Sequence, residues 1–233
     1  MKKKQSSAKF AVILTLIVVV LFAAIVIINN QTEKAGETVA EQPSIKGQPV
    51  LGKDSAPVTV VEFGDYKCPS CKVFNSDIFP KIKKDFIDKG DVKFSFVNVM
   101  YHGSGSRLAA LASEEVWKED PASFWAFHEK LFEQQPSSEQ EWVTPALLEK
   151  TVKSTAKKVD PDKLKENLDK ETFAKELKAD TDLNDKLNIT ATPTIYVNNK
   201  VIKEFSNYDE ISKTIKKELK NEKIESYFYM LLG

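Results

Sequence analysis

Apolar positions follow three different rhythms along this chain. The first stretch has no rhythm at all: FAVILTLIVVVLFAAIVII, Phe10 to Ile28, runs for 19 residues without a charge, a Gly or a Pro, and Thr15 is its single polar side chain. At about 1.5 Å per residue a helix of that length crosses a hydrocarbon core of about 30 Å. A buried helix of a globule keeps a polar face, so this stretch is expected to be an N-terminal transmembrane helix. Residues 29–48, NNQTEKAGETVAEQPSIKGQ, are polar and show neither a period of two nor of 3.6; they read as a tether.

Beyond the tether, PVTVVEFG (Pro57 to Gly64) is a short β-branched and aromatic run, expected to be a mostly buried strand. CKVFNSDIFPKIKKDFIDKG then spaces Val73, Phe74, Ile78, Ile82, Phe86 and Ile87 at three and four. That spacing predicts a helix ending near Gly90 and kinked or broken at Pro80. DVKFSFVNVM alternates Val92, Phe94 and Phe96, a second strand. From Gly103 to Asn188 the pattern is almost entirely helical, through SRLAALASEEVW, FWAFHEKLF, WVTPALLEKTVKSTAKK and DPDKLKENLDKETFAKELKAD. The order strand, helix, strand, long helical segment indicates an α/β fold.

Composition removes some functions. The chain has 233 residues, 42% of them hydrophobic, and 34 Lys+Arg balance 34 Asp+Glu. No net field draws it to nucleic acid, so a partner must be recognised by a site. The local charge is more telling. Lys2, Lys3, Lys4 and Lys9 precede the apolar span, so residues 1–9 are expected in the cytoplasm and everything after the span outside.

Both cysteines of the chain lie in YKCPSCK, Tyr66 to Lys72, at the start of the helix that follows the first strand. A helix amino terminus offers unpaired N–H groups and the positive end of the peptide dipoles, which stabilise a thiolate. Cys68 is therefore the expected nucleophile, and Cys71, one turn further in, the resolving thiol. Pro69 suits the first turn because its missing N–H would lack a partner anyway. A structural clip across three residues closes too small a loop to stabilise much. Zinc needs four ligands, and two Cys with two unpaired His do not supply them. A two-thiolate Cu(I) clamp remains an alternative to a redox pair.

With these residues in view, VVEFGDYKCPSCKVF resembles the active-site stretch of the thioredoxin fold. Val58 to about Leu219 resembles its DsbA-like branch, most closely the membrane-anchored BdbD proteins of Gram-positive bacteria. TATPTIYVNNKVI (Thr190 to Ile202) looks like that branch's cis-proline loop and hairpin, with Pro193 cis and Thr192 before it. FWAFHEKLF resembles the aromatic helix of its inserted domain, and Glu62 matches its buried acid. The resemblance implies a thioredoxin-like domain over 49–102 and 189–233, with an inserted helical domain over 103–188. It implies an extracytoplasmic thiol-disulfide oxidoreductase that oxidises secreted or surface client proteins through a Cys68–Cys71 disulfide. A tethered reductase, isomerase or Cu(I) module is the alternative. Glu62, Pro69 and Ser70 would support the pair, and Thr192 and Pro193 would bind the client backbone. The disulfide itself would be the reagent, without a catalytic cofactor, and a DsbB-like, quinone-linked membrane protein would reoxidise it. Two positions depart from the pattern: Ser70 stands where enteric relatives carry His, and Ala191 where relatives often carry Gly.

The remaining chemistry-bearing residues read more plainly. His128 shares a helix face with Phe124, Phe127, Leu131 and Phe132 and is expected in the core, and His102 in a loop near the site. Asp180, Asp182 and Asn184 suggest calcium, but the sixth position is Asp185 rather than Gly and the twelfth Ala191, so no EF-hand forms. A structural calcium at Asp180 with Glu115 is the remaining metal expectation.

Overall fold

The computed structural model describes residues 14, 37–38, 41–137 and 140–232, with side chains over 41–137 and 140–224. The expected cytoplasmic start and transmembrane helix lie outside the described residues, Leu14 apart. Among the described residues no helix is long and apolar enough to cross a membrane.

Six strands form one sheet in the order β1 (Glu37–Thr38), β6 (Lys200–Val201), β5 (Thr194–Val197), β3 (Val58–Gly64), β4 (Val92–Asn98), β2 (Val50–Leu51). β3 runs parallel to β4 and antiparallel to β5, and all seven of its residues are buried. Side chains alternate faces along a strand, so Val58 and Val60 enter the larger core with Phe94, Phe96 and Ile195, while Val61 and Phe63 enter a smaller one with Val97 and Tyr196. Glu62 has the parity of Val60 and therefore points into the larger core, where it is fully buried.

The parallel β3–β4 pair needs a crossover. It is a continuous helical run: α1 (Pro69–Val73), a wide turn at Phe74–Ile78, α2 (Phe79–Ile82) and a second wide turn at Lys83–Ile87. Pro80 neither breaks nor ends it. A proline lacks the N–H for the regular ladder and crowds the carbonyl four residues back, and the chain relaxes by one residue, so that the Phe79 N–H reaches the Phe74 carbonyl. Gly90, at φ +82, then takes the left-handed turn into β4.

Between β4 and β5 come α3 (Ser104–Glu119), a single turn at Pro121–Ser123, α4 (Phe124–Glu133), α5 (Pro145–Thr155), α6 (Pro161–Asp169) and α7 (Ala174–Lys186). Thr144 and Asp160 cap α5 and α6, each followed by a proline at the first helical position. Their apolar faces join the larger core through Phe124, Phe127, Leu131, Leu148 and Leu164, so the helical segment and the sheet share one interior. α8 (Tyr208–Leu232) closes the fold with Ile211 and Ile215 buried. The end of the expected tether is packed rather than free: β1 pairs with β6, and the buried Gln48 donates to Asp180 Oδ1 at 2.6 Å.

Candidate active site

β3 ends at Gly64, and the next four residues aim two sulfurs at the end of the sheet. The Asp65 carbonyl accepts from the Cys68 N–H at 2.9 Å, and the Asp65 N–H donates to Cys71 Sγ at 3.4 Å. Cys68 is the extended N-cap of α1, with Pro69 inside the first turn. Thr192 arrives from the loop before β5, where the Thr192–Pro193 peptide is cis, and its carbonyl accepts from the Cys68 thiol at 3.3 Å. The structure therefore brings together Cys68, Cys71, Pro69, Thr192 and Glu62.

The two sulfurs are unequal. Cys68 is 5% exposed and Cys71 0%, so the nucleophile sits at a narrow mouth rather than open on the surface. The Cys68 thiol is lowered from an ordinary 9.0 to about 5, chiefly by the hydrogen bond from Cys71, against the opposing effect of burial. The Thr192 side chain and the backbone N–H groups of Cys71 and Ser70 act in the same direction. The largest stabiliser of the thiolate is thus the other thiol, and the helix terminus comes behind it. Cys71 moves the other way, pushed well up by burial.

Behind the cysteines lies a polar row. Asn75, one turn after Cys71, donates through Nδ2 to Glu62 Oε1 and Oε2 at 3.0 and 3.1 Å and to the Cys71 carbonyl at 3.0 Å. Burial raises the Glu62 carboxyl well above the usual range. His128 is fully buried, as expected, but both ring nitrogens are engaged, Nε2 with Asn75 Oδ1 at 2.8 Å and Nδ1 with the Tyr66 hydroxyl at 3.0 Å.

In front, the buried Asp65 carboxylate clasps the loop after β4, taking the N–H groups of Tyr101 and His102 at 2.9 and 3.1 Å and His102 Nδ1 at 2.8 Å. Lys67 bridges the same loop and the helical segment through the His102 carbonyl and Glu141. A cavity of about 560 Å³ opens here, lined by Pro69, Val73, His102 and Trp142 among others. Sequence reasoning missed Asp65 and Asn75. The signal for Asn75 was a lone amide, four residues after Cys71, on an otherwise apolar helical face.

Glu115 and Asp180 are not brought together. Glu115 accepts from Asn167 at 2.8 Å, whereas Asp180 accepts from Gln48 and the Asn98 N–H. The carboxyl that feels Asp180 is Glu114, bonded to the Asn98 side chain at 2.8 Å. Among the described residues no three His, Cys, Asp or Glu gather around a metal position.

A family profile described as Thioredoxin matches residues 44–217. The chain belongs to the thioredoxin family. Disulfide bond formation protein D of Bacillus subtilis (strain 168) is 77% identical over 192 residues, 82% of this chain and 86% of that one. The probable disulfide bond formation protein D of Bacillus anthracis is 36% identical over the same shares. The crystal structure of oxidised BdbD from Bacillus subtilis superposes at a TM-score of 0.77 and 78% identity, covering 79% of this chain and 99% of that one. Chlamydia trachomatis DsbA superposes at 0.67 and 26% identity, covering 78% and 96%. Within the family the chain is a DsbA-like thiol-disulfide oxidoreductase.

Proposed function

We propose that this protein is a dithiol oxidase acting outside the cytoplasmic membrane, introducing disulfides into secreted or surface proteins. The observation that carries the reading is the opposed behaviour of the two sulfurs, Cys68 lowered to about 5 and Cys71 pushed up. A stabilised Cys68 thiolate favours the reduced enzyme, which makes its disulfide an oxidant.

In the reaction a client thiolate attacks Cys68 Sγ, the Cys68–Cys71 bond breaks, and Cys71 leaves and takes a proton. A second client thiolate then attacks the client sulfur of the mixed disulfide, and Cys68 leaves as thiolate. The client loses two electrons and two protons; the enzyme keeps both electrons and one proton, and the other proton goes to solvent. Thr192 and Pro193 lie beside Cys68, where a client backbone would pair, and Pro69 and Ser70 shape the mouth. A DsbB-like, quinone-linked membrane protein would return the pair to the disulfide. The apolar stretch Phe10 to Ile28 supports a retained anchor that holds both enzymes on one surface. Titration of the protein against a glutathione series tests the reading: a two-electron equilibrium at an oxidising potential supports it, and a pair that does not exchange, or that equilibrates at a strongly reducing potential, removes it.

Calcium would be structural. Glu114 and Asp180, raised by burial to about 8 and about 6, adjoin the Gln48 and Asn98 amides and the unpartnered Asn184 Oδ1. Gln48 and Asn98 turn their N–H groups toward these carboxyls, so the oxygens left for a calcium ion are the two carboxyls and Asn184 Oδ1, and Glu115 stands outside them. Added calcium should raise the melting temperature; an unchanged melt removes the ion.

A further inference from the structure

Among the described residues Glu62 is the carboxyl beneath the redox pair, and the side chain that holds it is Asn75. The Asn75 amide has two hydrogens and serves three acceptors, Glu62 Oε1, Glu62 Oε2 and the Cys71 carbonyl, at 3.0, 3.1 and 3.0 Å. An amide turned end for end would instead present an oxygen to that carboxyl. A proton on His128 Nε2, which lies 2.8 Å from Asn75 Oδ1, would fix the amide this way round. The imidazole is fully buried and neutral, its pKa pushed down to about 3 by burial. With Nε2 protonated, Nδ1 is left to accept the Tyr66 hydroxyl at 3.0 Å. The row then has one direction of donation: Tyr66 to His128, His128 to Asn75, Asn75 to Glu62.

We propose that Asn75 is a positioning residue of the redox pair, and that His128, carried on α4 of the helical segment, locks the orientation in which Asn75 holds Glu62 beneath Cys71. The inference rests on the oxidase reading above. Reduction of the disulfide delivers one proton to the buried Cys71, so the proton affinity of the nearby carboxyl enters the potential of the pair and its dependence on pH. The groups facing Glu62 are few. Cys68, Cys71 and Tyr66 act on it or feel it electrostatically, His128 reaches it through Asn75, and its strand neighbours Phe96 and Ile195 carry no charge. The helical segment thereby sets a property of the thiol chemistry without touching a sulfur.

The test is the reduction potential of the full chain against glutathione from pH 5 to 9, for the parent, His128→Leu, His128→Gln and Asn75→Asp, each with a melting curve. The slope of potential against pH changes where Glu62 titrates. His128→Leu and Asn75→Asp should move that break upward by about one pH unit or more, a tenfold change in the acid constant. His128→Gln keeps an N–H facing Asn75 Oδ1 and should restore the parent break. A structural role alone would lower both His128 melting temperatures and leave the break in place, which overturns the inference; if His128→Leu does not fold, the break of Asn75→Asp decides between the same two outcomes. A parent that does not exchange with glutathione overturns the oxidase reading and this inference together, whereas an exchanging parent with an unmoved break overturns only the inference.

Discussion

The difference in folding stability between the reduced and the oxidised protein should grow as pH rises from 5 to 8. The Cys68 thiol is lowered from 9.0 to about 5 in the folded chain, while in the unfolded chain it returns to an ordinary value. Between those limits the unfolded reduced chain binds one proton that the folded chain does not, so the stability of the reduced form rises with pH. It is lost as pH falls through about 5. The slope for one proton is about 1.36 kcal/mol per pH unit, which over three units gives a ceiling of about 4 kcal/mol. Cys68 lies at a mouth open to water, and solvent screening brings the expected gain nearer about 2 kcal/mol. The buried carboxyls Glu114 and Asp180, raised by burial to about 8 and about 6, also titrate in this range, with the opposite sign, and burial raises Glu62 in the same direction. Glu114 and Asp180 are present in both redox forms and largely cancel in the difference, whereas Glu62, which feels Cys68, opposes the rise and lowers the gain. Cys71, also raised, acts only above the ordinary thiol range. Urea unfolding of both forms at pH 5, 6, 7 and 8 reads the quantity directly. A difference that stays flat, or that shrinks as pH rises, refutes the assignment of the thiolate to Cys68.

Two further outcomes follow from the same geometry. Cys71→Ser removes the resolving thiol and should accumulate mixed disulfides with client proteins, visible on non-reducing gels, while Cys68→Ser should accumulate none; trapping through Cys71 would reverse the roles. Glu62→Gln removes a carboxyl whose stability cost appears as pH rises above the ordinary carboxylate range, so the variant should be more stable than the parent at pH 8 by about 1–3 kcal/mol, with the gap closing by pH 4 in paired melting curves.

The residues announce what is written locally. The burial of β3, the helix start at Cys68 and the core placement of His128 follow from runs and spacings within a few residues of each other. The polar row was not legible, because Glu62, Asn75 and His128 meet only through the packing of α4 on α1 and β3, and no periodicity announces a hydrogen bond between distant elements. Pro80 reads as a kink or a break because a proline in a helix has two local remedies, stopping or widening, and the packing of Phe79 and Ile82 into the core favours the second. The pairing of Asp180 with Glu115 failed for a related reason: adjacent residues on α3 point in different directions, and Glu114 is the one that turns toward Asp180.

Thr192, one of the groups that lower Cys68, lies 124 positions further along the chain. A chain that emerges amino end first therefore presents Cys68 to its surroundings well before that contact can exist, and before α4 can bring His128 behind Asn75. During that interval Cys68 has its local supports, Cys71 and the start of α1, and lacks the one from Thr192. The last part of the Cys68 shift is therefore conferred late, when β5 folds back onto β3.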